Sequence, residues 1–308
     1  MSSRPVGWLD AAAADARALD DLRIVVIGYG NQGRAQARNL RDSRIGRSIA
    51  VWTRPDGPSQ RQARADGFPT IDPEALAQGD LFLCLLPDEA IPAFVQHELA
   101  PRLWRADRPG RIGFAHGFAL AFTPLGEALR QEPWREVFLL APSGPGSEVR
   151  AAYTAGGGVA ALLAIWHDAD GRARAHALAL AHGLGASRAG VFETTVREET
   201  IVDLFGEQAV VCGGLTALLE SAFATLVAAG YPAEMAYLEC VHQMRLTADL
   251  VHRHGIAGMR ERISGTARFG ERTRGPRIAA AGLRAVQRQI LAEIESGAFA
   301  REWLRRAD

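Results

Sequence analysis

The sequence has 308 residues with 35 basic and 35 acidic side chains, so its formal charge is zero. At roughly 150 residues per domain this length suits two domains, and the balanced charge argues against a nucleic-acid binder or a membrane-surface protein. Every basic residue is arginine, which excludes a lysine Schiff base and a Walker A phosphate loop. The three cysteines, Cys84, Cys212 and Cys240, form no C-x-x-C pair. They predict neither a disulfide framework nor a zinc ribbon, and a reducing cytoplasm is the default expectation. The sequence opens without a basic stretch and an apolar core, and no unbroken run of about 18 apolar residues occurs. Neither a signal peptide nor a membrane span is therefore expected.

In chain order, β-type apolar runs are expected at Arg23–Ile27, Ile49–Thr53, Leu81–Leu86, Ile112–Ala115, Val137–Leu140, Val159–Trp166 and Ala189–Thr194. Helix-period segments separate most of them, which predicts an α/β domain with a parallel sheet covered on both faces. After about residue 195 only helical patterns follow, at Glu198–Cys212, Leu215–Ala229, Pro232–His254 and Ala279–Ser296. Gly213-Gly214 and Gly230 read as helix ends. The expected domains are 1–195, Rossmann-like, and 196–308, all-helical.

The first strand runs into Gly28, Tyr29, Gly30, Asn31, Gln32 and Gly33, which is G-x-G-x-x-G between a strand and a helix. The first glycine allows a tight turn and the second admits a pyrophosphate. The third lets helix and strand pack closely, and the helix N-terminus faces the anion. The second strand leads into Arg54, Ser59 and Arg61, a pattern that favours the 2′-phosphate of NADPH; Asp56 in the same loop favours NADH. On the helical side, Asp203 and Glu207 lie four apart on one face, as do Glu239 and Gln243. Such oxygen ligands suit Mg²⁺, while an exposed acidic face is the competing reading. Glu193, Glu198 and Glu199 read as a solvated cluster.

Taken in order, these stretches resemble one family, the short bacterial type of ketol-acid reductoisomerase. The resemblance is carried by Val26–Gly33, Leu85–Glu89, Phe114–Phe118, Ala141–Gly146, Gly156–Gly158, Ala189–Thr195, Asp203–Gln208, Cys212–Gly214, Ala228–Tyr231, Glu239–Cys240 and Thr273–Arg277. It implies a Rossmann-like domain followed by a knotted, dimer-forming helical domain, with active sites shared between two subunits. It also implies a two-step reaction on an acetohydroxy acid: Mg²⁺-assisted alkyl migration, then hydride transfer from NADPH. By resemblance, Asp203, Glu207 and the second subunit's copy of Glu239 hold the metal. Ser264 binds the substrate carboxylate, His116 sits by the nicotinamide, and Pro87 and Asp88 flank the cofactor.

Two positions depart from the family pattern. Ser143 stands where the family has a lysine before Gly-Pro-Gly, and Gln243 where it has a carboxylate. The sequence ends at Asp308, about one helix before the family pattern does, from which a more open site is expected. Both substitutions fall on groups needed for alkyl migration more than for hydride transfer. The resulting expectation is an NADPH-dependent reductase of a 2-keto acid or imine that lacks the migration step, with NADH as the alternative cofactor. The competing expectations are an authentic ketol-acid reductoisomerase of branched-chain amino-acid biosynthesis and a non-catalytic nucleotide-binding protein.

Overall fold

The computed structural model describes residues 7–9, 15–107, 109–131 and 133–307. The chain divides into two compact units, Met1–Thr200 with Ala307–Asp308, and Ile201–Arg306.

The first unit is built on one sheet. Its strands are β1 (Gly7–Leu9), β2 (Arg23–Ile27), β3 (Ser48–Trp52), β4 (Leu81–Cys84), β5 (Gly110–Phe114), β6 (Trp134–Pro142), β7 (Ala161–Asp168) and β8 (Val191–Glu193). Their order across the sheet is β1-β8-β7-β6-β5-β4-β2-β3. From β3 to β6 neighbouring strands run parallel, and the inner strands are buried on both faces, with every residue of β4 in the core. Two apolar layers flank the sheet. One contains Val26, Leu83 and Leu180, the other Ile27, Phe82 and Leu139. Helix α1 (Asn31–Asp42) follows β2, and α2 (Pro58–Ala65) follows β3.

The all-parallel expectation fails at two places. β7 runs antiparallel to β6, and β1 antiparallel to β8. After β6 the chain makes only the short helix Gly146–Thr154 before returning. The Ser143 amide then bonds the Ala160 carbonyl at 2.8 Å, so β7 starts at the end where β6 stops. β1 was not foreseen, because three residues are too few to show a period.

At the ends of β5 and β6 away from the glycine loop, Glu136 and His176 form a fully buried pair (Nδ1 to Oε2, 2.6 Å), and Arg111 donates to Glu136 at 2.8 Å. This ionic cluster ties β5, β6 and the helix Ala173–Leu184 together.

The second unit is helical. It contains Gly213–Ala228, Ala233–Tyr237, Gln243–Arg262, Gly265–Ile278, Arg284–Glu295 and most of Ala298–Ala307. Three π-helical turns interrupt it: Glu207–Val211, Leu238–His242 and Ala279–Leu283. No residue of Gly213–Ala228 is buried, and Leu218, Val227, Tyr237, Leu246 and Phe269 are among the exposed apolar side chains.

Two expectations are corrected here. Gly213-Gly214 does not end a helix; the helical run continues through it from Val196 to Ala228. That same run is long and apolar enough to cross a membrane by length and composition. Thr216, Glu220, Ser221 and Thr225 punctuate it, so it contains no unbroken apolar stretch of that length.

Candidate active site

The glycine loop has the geometry that a dinucleotide needs. Gly28 adopts φ +92°, and a Cβ there would lie 2.6 Å from the Leu85 carbonyl oxygen. A Cβ on Gly33 would lie 2.2 Å from the Gly28 oxygen, so α1 can approach β2 only through a glycine. Around Gly30 nothing lies within 4 Å of the corresponding point, which leaves the backbone open. Gly30 caps α1 without any side-chain hydrogen bond, so the first amides of the helix face outward. Asn31 is exposed beside them.

Two side chains of this loop are committed elsewhere. Tyr29 is buried, and its hydroxyl donates to Asp66 at 3.0 Å; burial first, then this carboxylate, raise its pKa. Any contact it makes with a cofactor therefore comes from its backbone. The Gln32 amide nitrogen donates to the Gly144 carbonyl at 2.9 Å, and its oxygen accepts from Gln36. A Cβ on Gly146 would meet the Asn31 oxygen at 2.2 Å. The segment Ser143–Gly146 is thus held directly against the start of α1. Ser143 is exposed there and anchored by its own amide.

After β3, Arg54 is exposed, and Asp56 turns the chain with φ +55°. The guanidinium of Arg61 donates to the Asp56 carbonyl at 2.6 Å, so Arg61 braces the turn. Ser59 sits in the first turn of α2, whose cap Gly57 supplies no side-chain bond. After β4, Pro87 is exposed and precedes the short turn Asp88–Ala90, with Asp88 partly exposed. Nearby, burial pushes the Cys84 thiol up to about 12, so it stays neutral.

His116 follows β5 and is one-fifth exposed. Its Nδ1 lies 3.2 Å from the carboxylate of Glu199, which is 2 % exposed. The same carboxylate accepts from the Gly117 amide at 3.0 Å and has the Thr200 hydroxyl 3.3 Å away, whose one proton lies closer to the Val196 carbonyl at 2.7 Å. A carboxylate can only accept, so the ring turns a protonated Nδ1 toward it and Nε2 away from it. A Cβ on Gly117 would lie 2.2 Å from the Thr200 hydroxyl oxygen; glycine lets the helix Val196–Gly206 seat its first turn on this loop. The reading of Glu199 as solvated is therefore wrong. Glu193 and Glu198 do lie at the surface, pairing with Arg174 and with Thr195. A signal for Glu199 was present: it stands four residues before Asp203, as Asp203 stands four before Glu207, one helical face throughout.

In the second unit, Glu207 and Glu239 both lie in π-helical turns, Glu207–Val211 and Leu238–His242. Wide turns of this kind re-aim side chains and recur at functional sites. The first depends on the paired glycines. Cys212 bonds the Glu207 carbonyl at 2.9 Å, and Cβ atoms on Gly213 and Gly214 would lie 2.2 Å from the carbonyls of Gln208 and Ala209. Gln243 is exposed at the start of the next helix. Ser264 caps Gly265–Ile278 and accepts from the Ala267 amide at 3.1 Å, which leaves its proton free to donate. Among the described residues, no three acidic or histidine ligands of the second unit alone come close enough to share an ion. Glu234, Tyr237 and Leu238, with Phe223 and Ala233, line an open, largely apolar depression on the surface.

A glycine cradle at the first βα turn, with a histidine on a neighbouring loop ordered by a helix-borne carboxylate, defines a dinucleotide-dependent oxidoreductase. Residues 18–190 match the acetohydroxy acid isomeroreductase NADPH-binding domain, and residues 196–308 match the ketol-acid reductoisomerase C-terminal domain. An NADH-preferring ketol-acid reductoisomerase from an uncultured archean is 38% identical, with a TM-score of 0.88 over 99% of this chain and 90% of that one. Two others share the fold alone. The first is a semialdehyde dehydrogenase NAD-binding protein from Cupriavidus necator (20% identity, TM-score 0.63, 90% of this chain and 99% of that one). The second is an imine reductase from Pseudomonas sp. (17%, 0.53, 91% and 95%).

The chain belongs to the ketol-acid reductoisomerase family. It is an oxidoreductase enzyme with an NAD(P)H-binding domain, which sets aside the non-catalytic alternative.

Proposed function

We propose that this enzyme uses NADPH to reduce a 2-keto acid, or the corresponding imine, without the alkyl migration typical of its family. The observation that carries this reading is Ser143. It lies on a segment fastened to the cofactor helix through Gln32 and Gly146, where the resemblance calls for a lysine. A neutral hydroxyl there supplies no fixed cation to a charge-delocalised migrating substrate. Hydride transfer needs only an oriented nicotinamide and a polarised carbon. Gln243 removes a carboxylate from the helical side in the same way.

The glycine loop and the N-terminus of α1 hold the pyrophosphate, and Pro87 and Asp88 border the cofactor. Arg54 and Ser59 take the 2′-phosphate, Arg54 having no side-chain partner among the described residues that would compete for it. His116 is oriented by Glu199 through Nδ1; carrying a proton on Nε2 as well, it gives that proton to the reacting atom as hydride reaches the carbon and is left neutral, and Ser264 donates its free proton to the substrate carboxylate. The donor set fits a hard divalent ion: Asp203 and Glu207 are carboxylates one helical turn apart. With Glu239 contributed by a second copy of the chain they would hold Mg²⁺, which would polarise the substrate carbonyl when bound. A homodimer with shared sites also accounts for the exposed apolar side chains of Gly213–Ala228. The 38% identity across nearly the whole chain favours the second reading, an authentic ketol-acid reductoisomerase acting on 2-acetolactate.

The double variant Ser143→Lys, Gln243→Glu tests the proposal. It should gain turnover of 2-acetolactate by at least tenfold over the wild type while keeping NADPH affinity. No gain, in a variant that folds and binds NADPH, would show that these two positions do not decide migration.

A further inference from the structure

The two halves of the candidate dinucleotide site are joined by a strut of side-chain hydrogen bonds centred on Asp66. Asp66, at the C-terminal end of α2, accepts from Tyr29 of the glycine loop (3.0 Å), from Arg34 of α1 through two nitrogens (2.7 and 3.2 Å), and from Gln62 of α2 (3.2 Å). Its side chain is 13% exposed. The Tyr29 ring is buried against Phe68, with centroids 5.8 Å apart, so the hydroxyl is fixed at a set height above the loop. Arg41 of α1 also donates to the Asp66 carbonyl, at 2.6 Å. One carboxylate thus connects the loop that faces the pyrophosphate, the helix whose N-terminus backs it, and the helix whose first turn carries Ser59.

We infer that Tyr29 and Asp66 are positioning residues for cofactor choice: they set the spacing between the pyrophosphate cradle and the 2′-phosphate loop. This rests on the assignment of Arg54 and Ser59 to the 2′-phosphate. NADH and NADPH share the pyrophosphate end, whereas only NADPH reaches for the first turn of α2 and Arg54. Loosening the strut therefore weakens NADPH and leaves NADH nearly unchanged. A purely structural role would lower the affinity for both equally.

The test is direct binding of NADPH and NADH to the full-length enzyme by calorimetry, together with thermal melts. The variants are Tyr29→Phe, Asp66→Asn and, as a control for the premise, Arg54→Ala. Tyr29→Phe keeps the buried ring and removes one hydrogen bond, so NADPH should bind about fivefold more weakly. Asp66→Asn, which also deprives Arg34 of its partner, should cost about tenfold or more, and NADH should change less than twofold in both. If Arg54→Ala lowers NADPH affinity but both strut variants keep the wild-type NADPH-to-NADH ratio, the strut has no part in selectivity. An unchanged ratio in Arg54→Ala overturns the 2′-phosphate assignment, and the inference falls with it.

Discussion

Replacing Glu199 by glutamine probes the site at its most buried charge. The carboxylate has three neighbours, the Gly117 amide, the Thr200 hydroxyl and His116 Nδ1, at 3.0, 3.3 and 3.2 Å, and is 2 % exposed. In the glutamine one acceptor oxygen becomes an NH₂ donor. Whichever way the amide lies, it then opposes either the Gly117 N–H or the His116 N–H. A hydrogen bond to a charged group contributes about 1.5–3 kcal/mol, and stranding a buried donor costs a similar amount that overlaps with it. A loss of about 3 kcal/mol is expected, or a fall in Tm of about 6–12 °C for a unit of this size. If the amide turns its NH₂ toward His116, Nδ1 must accept, and the ring is held neutral with its one proton on Nε2, a far weaker acid than the imidazolium. Misplacing such a group lowers kcat by about 100-fold or more. Differential scanning calorimetry and steady-state NADPH oxidation measure both effects. A variant with wild-type Tm and kcat would refute the claim that Glu199 orders His116.

Three further outcomes follow from the geometry. Gly33→Ala places a methyl 2.2 Å from the Gly28 carbonyl oxygen; NADPH and NADH affinity should both fall at least tenfold, as read by fluorescence titration. Gly213→Ala places one 2.2 Å from the Gln208 carbonyl, within the turn that carries Glu207. The concentration of Mg²⁺ giving half-maximal activity should rise severalfold with cofactor affinity unchanged. The Arg34 guanidinium holds the Asp66 carboxyl at about 2, below its ordinary value. A depressed acid contributes stability above its unfolded pKa, near 4, and loses it as the pH falls toward 2, here about 2 kcal/mol. Urea melts should therefore show the stability gap between wild type and Asp66→Asn narrowing between pH 4 and pH 2; a constant gap would contradict the assignment.

The glycine loop was legible from sequence because each glycine answers to one steric demand, and the same demands reappear as the blocked Cβ positions at Gly28 and Gly33. The alternation of strands and helices was equally plain. Pairing direction was not: β7 opposes β6 along a ladder that a bond from the Ser143 amide to the Ala160 carbonyl extends, and no periodicity encodes it. The burial of Glu199 is hidden in the sequence because charge at a helix start usually means solvent, and the burial depends on Gly117, 82 residues away. Tyr29 was assigned to the cofactor by its place in the motif, while its side chain serves Asp66, 37 residues on. The Cys212-Gly-Gly214 run looked like a helix stop and instead admits a π-turn. In each case the signal was local and the deciding contact was not.

In the proposed function, reduction is separated from migration. Purified enzyme with NADPH and Mg²⁺ should be given 2-acetolactate and, in parallel, 3-hydroxy-3-methyl-2-oxobutyrate, the already rearranged compound. Turnover of the second with little or none of the first is the result expected here. Comparable turnover of both would mean that the enzyme still carries out the migration, with Ser143 and Gln243 in place.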